Sequence, residues 1–160
     1  MEIERKFLIT SLPENLDSYS FLHIEQGYLC TEPVIRIRRQ EEEFYLTYKS
    51  RGLLVREEYN LPLTKEAYLH LIPKLDGILI SKKRYLIPFE FDNCVLTIEL
   101  DIFEGELAPL IVAEVEFATE EAAKAFIPPK WFGEDVTYSM DYHNSILSQK
   151  GLKHLSVKRI

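Results

Sequence analysis

The sequence has few of the side chains that bind transition metals. Its 160 residues include two cysteines, Cys30 and Cys94, which are not spaced as a metal-binding pair. The four histidines, at positions 23, 70, 143 and 154, are scattered along the chain. We therefore expect neither a zinc site nor a disulfide framework, and the simplest interpretation is a reduced, cytoplasmic protein.

Long hydrophobic runs and an excess of positive charge are also missing. No apolar stretch approaches 18 residues, and Glu2 and Glu4 lie where the basic part of a signal peptide would be. The formal net charge of −7 argues against a general nucleic-acid binder, which normally carries a basic footprint. We expect no membrane and no nucleic acid among the partners, and any polyanion must bind at a locally positive place or through a metal.

What the chain does have is typical of a globular domain rich in strands. Hydrophobic residues make up 46% and charged residues 28% of it, and the 9 Tyr and 9 Phe favour β-structure. The length suits one domain. We place that domain at residues 1–150 and a basic C-terminal tail at residues 151–160.

The first residues, Met1 to Phe7, have the alternation of a β-strand. Alternate side chains of a strand point to opposite faces, so Glu2, Glu4 and Lys6 share one face at intervals of about 6.6–7 Å. Carboxylate oxygens suit Mg²⁺ or Mn²⁺, and a lysine on the same face can hold phosphate oxygens. This row therefore suits a divalent cation beside an anion.

The rest of the chain predicts seven further strands and three helices. The strands are expected at about residues 21–30, 34–38, 44–50, 54–61, 78–87, 95–103 and 110–117. Thr64 is the expected N-cap of a helix over 65–76 that Pro73 shortens or bends, and Thr119 caps a second, short helix. A last helix is expected over 139–150.

Nearly every predicted strand carries its charges on one face and apolar residues on the other. An ordinary barrel with an apolar interior and an inverted barrel with a polar lumen both fit this pattern. Amphipathic helices need an apolar surface to cover, so we favour the inverted barrel. The charged faces collect Glu2, Glu4, Lys6, Arg36, Arg38, Lys49, Arg56, Glu58, Lys82, Arg84, Glu99, Asp101, Glu114 and Glu116.

A series of motifs from residue 1 to about 147 resembles the CYTH proteins, or triphosphate tunnel metalloenzymes, of the short single-domain bacterial type. The motifs are EIERK, RIR, YLTYKS, REEYN, KKRY, ELDIFEG, AEVEF, WFGEDVT and YHN. Asn60 departs from the pattern, because the family often has a further carboxylate after the Arg-x-Glu pair.

The resemblance implies an α+β protein dominated by strands: an eight-stranded antiparallel closed barrel, or tunnel, with a charged lumen and flanking helices. It implies Mg²⁺ or Mn²⁺ as cofactor and a small-molecule triphosphate as partner, with a homodimer as a further option. By position, Glu2, Glu4 and Glu116 would hold the principal metal, and Asp101 and Glu114 would hold a second metal or orient the attacking water. The phosphate chain would be held by Lys6, Arg36, Arg38, Lys49, Lys82 and Arg84.

Three of these residues, Lys6, Asp101 and Glu114, are the expected catalytic residues. Arg56 and Glu58 fit either a phosphate contact or a structural ion pair across strands. Hydrolysis of inorganic tripolyphosphate, extending to nucleoside triphosphates, is the first functional hypothesis. Adenylate cyclisation or thiamine triphosphate hydrolysis is the second, and a non-catalytic module that binds polyphosphate or a nucleotide is the third. The complete acid set favours catalysis.

Overall fold

The computed structural model describes residues 1–157 and 159–160, and in them ten strands and three α-helices. The strands are β1 (Glu2–Ile9), β2 (Phe21–Thr31), β3 (Val34–Gln40), β4 (Glu43–Lys49), β5 (Val55–Arg56), β6 (Glu58–Pro62), β7 (Asp76–Phe91), β8 (Cys94–Phe103), β9 (Ile111–Glu116) and β10 (Phe132–Asp135). The helices are α1 (Lys65–Leu71), α2 (Glu120–Ala125) and α3 (Asn144–Lys150). None of the described helices is long and apolar enough to cross a membrane.

The strands form one nearly closed antiparallel barrel. Its order is β1-β9-β8-β7-β2-β3-β4-β6, and β5 returns to pair with β1 through Glu2↔Arg56 and Ile3↔Val55. Because only Glu57 separates β5 from β6, the two act as one interrupted strand, and the barrel then has the eight strands predicted. β10, which pairs with the second half of β1, was not predicted.

The charged faces of the strands point into this barrel. On β8, Glu99 and Asp101 lie on the inner face, whereas Ile98 and Leu100 lie on the outer face and are fully buried. Strand alternation alone produces this separation. The inverted barrel is therefore confirmed.

Short segments of the chain cover the apolar outside of the barrel. The ring of Phe126, just after α2, packs at 5.2–6.1 Å from Phe7, Phe89, Phe91 and Phe117. The α1 helix covers a second apolar cluster, in which Tyr68 packs at 5.1 Å from Phe44. These contacts bury the surface that a polar lumen leaves on the outside.

The two capped helices begin where expected. Thr64 Oγ1 accepts from Ala67 N at 3.0 Å, and Thr119 Oγ1 accepts from Ala122 N at 3.1 Å. The first helix is shorter than predicted: it ends at Leu71, and a 3₁₀ turn over Ile72–Lys74 contains Pro73, whose ring removes a backbone donor.

The last predicted helix is divided in two. A 3₁₀ turn spans Met140–Tyr142, the extended backbone of His143 interrupts it, and α3 begins at Asn144. Leu147 of α3 is fully buried in a third apolar cluster, against which Leu152, Leu155 and Val157 also pack. Lys158, part of the tail predicted at 151–160, lies outside the described residues.

Candidate active site

The barrel encloses a polar cavity of about 220 Å³. All the predicted charged residues except Lys82 and Asp101 line it. The lining is completed by side chains from β2, β3, the residue before α3 and the first two residues of α3. These additional residues are Tyr28, Val34, Gln40, His143, Asn144 and Ser145.

Lys82 and Asp101 form a buried cluster with Arg84 behind one wall. Lys82 Nζ lies 2.7 Å from Asp101 Oδ2, and Arg84 donates to both oxygens of Asp101 at 2.7–2.8 Å. Arg84 also donates to Glu99 and to Glu114, each at 2.8 Å. The register causes this clustering, because Arg84 is directly opposite Asp101 in the pairing of β7 with β8.

These contacts shift the pKa values of the two bases in opposite directions. Burial lowers the pKa of Lys82 to about 8, although Asp101 counteracts it. Burial also tends to lower the pKa of Arg84, but attraction by Asp101 and Glu99 outweighs burial and raises that pKa above its usual value. The charge of Arg84 is thus neutralised within the protein.

A second group of ion pairs closes the barrel between β4, β5 and β1. Lys49 Nζ lies 3.0 Å from Glu2 Oε1 and 3.3 Å from Glu58 Oε2. Arg56 is 3.8 Å from Glu2, so the partner of Arg56 is on β1 and the Asn at position 60 does not leave it isolated. Burial raises the pKa of Glu2.

Two arginines of β3 differ from these paired bases. Within the described chain, neither Arg36 nor Arg38 forms an ion pair, and both line the cavity. Burial, with repulsion from Arg36 and Arg84, lowers the pKa of Arg38 to about 9. Arg38 therefore remains charged at neutral pH, and neither guanidinium group is neutralised by a carboxylate of the described chain.

Glu4 and Glu116 are carboxylates that, like these two arginines, have no partner of opposite charge among the described residues. Neither forms an ion pair with any described residue, and both line the cavity. Burial, and then the neighbouring Glu114, raises the pKa of Glu4 well above its usual value. Burial and repulsion from Glu2 raise the pKa of Glu116. No basic side chain of the described chain therefore pairs directly with these two carboxylates, although Lys49 lies near enough to act on the pKa of both.

The predicted metal ligands fit a divalent cation in their chemistry. Those predicted for the principal metal, Glu2, Glu4 and Glu116, are oxygen donors on the adjacent strands β1 and β9. Burial and then repulsion between carboxylates raise their pKa values, and a cation there would counteract both effects. In the described part of the chain, however, no three acidic, His or Cys side chains are already arranged as metal ligands. Binding would therefore require the carboxylates to move toward the ion.

His143 and the start of α3 reach the cavity from one side. Lys6 Nζ donates to the carbonyl of Tyr142 at 3.3 Å, and Lys82 Nζ lies 3.4 Å from Asn144 Oδ1. Burial, with the positive charges of Lys6 and Arg56, lowers the pKa of His143 to about 3. His143 is thus a neutral residue of the lumen.

The main side chains that sequence reasoning missed are neutral. Gln26 and Thr47 are fully buried on β2 and β4, and both contact arginines of the site. Because both are neutral, the charge pattern along the sequence provided no signal for them. The two-residue period does not reveal Gln26 either, because Gln26 shares its face of β2 with Ile24 and Tyr28. The charged Glu25 lies on the opposite face.

Comparison with known proteins agrees with this geometry. The family model for the CYTH domain matches residues 1–137. The chain belongs to the CYTH family. A curated inorganic triphosphatase of Nitrosomonas europaea is 40% identical over 150 residues, covering 92% of this chain and 96% of the relative. Another, of Acetivibrio thermocellus, is 34% identical over 162 residues, and the match covers 96% of each protein.

Solved CYTH-like structures extend the comparison to the fold. The crystal structure of the inorganic triphosphatase NE1496 matches with a TM-score of 0.67 and 38% identity, covering 92% of this chain and 94% of that one. A putative adenylate cyclase of Bacillus halodurans matches with a TM-score of 0.51 at 16% identity, covering 88% and 97%. The second similarity concerns the fold alone.

Proposed function

We propose that this CYTH protein is a metal-dependent triphosphatase that hydrolyses inorganic tripolyphosphate and, more slowly, nucleoside triphosphates. One observation carries the proposal: among the described residues, the same cavity has arginines without carboxylate partners on β3 and carboxylates without basic partners on β1 and β9. A triphosphate chelated by a cation supplies both missing charges. The two triphosphatase relatives support the same substrate class.

The metal would be Mg²⁺ or Mn²⁺, held by Glu2, Glu4 and Glu116. When bound, such an ion neutralises charge on the phosphate oxygens and activates a water molecule. Glu114, which lies 3.6 Å from Lys6, would orient the attacking water. Asp101 would act through Lys82 and Arg84, because all its strong contacts are to those two bases.

The bases would bind and align the phosphate chain. Arg36 and Arg38 would pair with its oxygens through their planar guanidinium groups, and the predicted lysines and Arg84 would add positive charge. Water attacks the terminal phosphorus, the P–O bond to the bridging oxygen breaks, and phosphate and pyrophosphate leave. Such a reaction needs positioning and charge neutralisation more than covalent chemistry.

Phosphate release from four substrates, with Mg²⁺ or Mn²⁺, tests the proposal. Tripolyphosphate should be cleaved faster than ATP and thiamine triphosphate. Pyrophosphate should be poor because it is too short to reach basic residues on several strands at once. Cyclic AMP as the main product from ATP would replace hydrolysis with cyclisation. Binding of tripolyphosphate without cleavage of any substrate would indicate a binding module.

Three further parts of the proposal rest on the sequence. We infer a cytoplasmic protein from its composition, with a homodimer as an option for its assembly. The functional domain would extend over residues 1–150, with residues 151–160 as a basic tail. Activity of a chain shortened after residue 150, together with its mass in solution, would test the tail and the assembly.

A further inference from the structure

The two lumen arginines of β3, which pair with no carboxylate of the described chain, are held by neutral side chains. Arg38 Nε donates to Gln26 Oε1 at 2.8 Å, and Arg36 Nη2 donates to Thr47 Oγ1 at 3.2 Å. Gln26 and Thr47 are each fully buried. The arrangement fixes the direction of both guanidinium groups and contributes no negative charge.

The contact with Arg38 determines the orientation of the Gln26 amide. A guanidinium group only donates hydrogen bonds, so the oxygen of the amide must face it. The amide nitrogen, Nε2, then points elsewhere and has no partner among the described residues, and the same is true of Arg36 Nε. Buried donors without an acceptor are costly, which indicates that this wall is built to receive acceptor atoms.

Thr47 is itself held in place. Its hydroxyl donates to Asn60 Oδ1 at 2.6 Å, and Asn60 Nδ2 donates to Glu58 at 2.9 Å. Because the hydroxyl proton is used toward Asn60, its oxygen is free to accept from Arg36. The chain of contacts from Glu58 to Arg36 thus passes through two neutral groups.

Arg84 shows, by contrast, the difference between an arginine held by charged groups and one held by neutral groups. Arg84 is held equally firmly, but by three carboxylates that neutralise it. We propose that Gln26 and Thr47 are positioning residues of the triphosphate site, which orient Arg38 and Arg36 through neutral groups so that both positive charges remain available to the substrate. This inference rests on the proposed triphosphatase function.

Steady-state kinetics with tripolyphosphate at saturating Mg²⁺ test the role of Gln26. Gln26→Glu places a carboxylate against Arg38 and should raise KM about tenfold or more, with a much smaller change in kcat. Gln26→Met keeps the length of the side chain but removes the contact, so its KM should rise less. An unchanged KM in a folded Gln26→Glu variant would overturn the proposal for Gln26.

Two substitutions at Thr47 separate positioning from packing. Thr47→Val keeps the shape and loses the hydroxyl, whereas Thr47→Ser keeps the hydroxyl and loses a methyl group. Positioning predicts a KM raised about threefold to tenfold for Thr47→Val and a value near wild type for Thr47→Ser. Packing predicts the opposite order, and that result would overturn the proposal for Thr47. This pair remains decisive if Gln26→Glu fails to fold.

Measurements on the wild-type protein distinguish a failure of this inference from a failure of the proposed function on which it rests. If wild type neither binds nor cleaves tripolyphosphate, the proposed function fails and the positioning role with it. If wild type cleaves tripolyphosphate while folded variants at both positions keep its KM, only the positioning role fails. Thermal unfolding of every variant confirms that the kinetics are those of folded protein.

Discussion

Glu4 lies directly opposite Glu116 in the antiparallel pairing of β1 with β9, and neither carboxylate has a basic partner in the described structure. Like charges at opposed positions destabilise a sheet. The next inward pair, Lys6 opposite Glu114, has opposite charges at 3.6 Å. One end of the same strand pair is thus neutralised internally, and the other end is suited to a cation from solution.

Glu4→Gln and Glu116→Gln should therefore weaken metal binding. Each keeps the shape of the side chain and removes one anionic oxygen ligand. We expect the Mg²⁺ or Mn²⁺ concentration for half-maximal activity to rise at fixed tripolyphosphate, with partial recovery at high Mn²⁺. Glu106→Gln, in an exposed turn, is the matched control. Unmoved metal curves for both lumen variants would show that these carboxylates are not ligands.

Arg38→Ala should impair substrate binding and leave the metal requirement nearly unchanged. Loss of a charged contact in a shielded lumen should cost about 2–4 kcal/mol, or roughly 30- to 1000-fold in kcat/KM. Arg39→Ala is the control, because Arg39 faces outward and contacts Glu42. Substrate titrations at saturating metal measure the effect, and equal losses in the two variants would contradict the assignment.

Arg84→Met should affect folding more than Arg38→Met does. It would leave Asp101, Glu99 and Glu114 without their common partner, and breaking such a buried cluster costs about 3–5 kcal/mol. Arg38→Met removes a base that has no carboxylate partner among the described residues and breaks only its hydrogen bond to Gln26, so the loss in the free energy of unfolding should be smaller, about 1–3 kcal/mol. Urea denaturation of the ligand-free proteins checks this, and similar losses for both would refute the distinction between paired and free arginines.

His143 should make the protein sensitive to mild acid. Its pKa is about 3 in the folded protein against an ordinary value of 6.5, so the unfolded state binds the proton first as the pH falls. The contribution of neutral His143 to the free energy of unfolding is complete above pH 6.5 and is lost progressively toward pH 3. Between pH 6.5 and 5, the free energy of unfolding should fall by about 1–2 kcal/mol less in His143→Gln than in the wild type. Parallel stability curves for the two proteins would exclude this contribution.

Strand alternation explains how much of the fold could be predicted. The two-residue period of charge placed the barrel strands, because a side chain's face follows directly from its position in a strand. β10 escaped notice because its four residues are too few to show a period. The division of the last helix at His143 was also missed, since the residues around it have the i, i+4 spacing of one continuous helix.

The candidate site could likewise be predicted only in part. The sequence indicated which charges face the lumen but not which of them neutralise one another. That depends on register: Arg84 is opposite Asp101, whereas Arg38 is opposite Tyr45 on one side and Gln26 on the other. A shift of one residue would have exchanged the faces, and a shift of two would have changed the partners.

The sequence by itself therefore determined the inward charged face of nearly every strand, β2 excepted, and the chemical class of ligand that such a lumen can hold. Both are local properties, set by the order of residues along one strand. Only the tertiary structure decided which arginines and carboxylates stay free, which neutral side chains hold them, and that the segment around His143 reaches the cavity. Those outcomes depend on contacts between residues far apart in the chain, such as Lys82 with Asn144 and Lys6 with Tyr142, which no local pattern encodes.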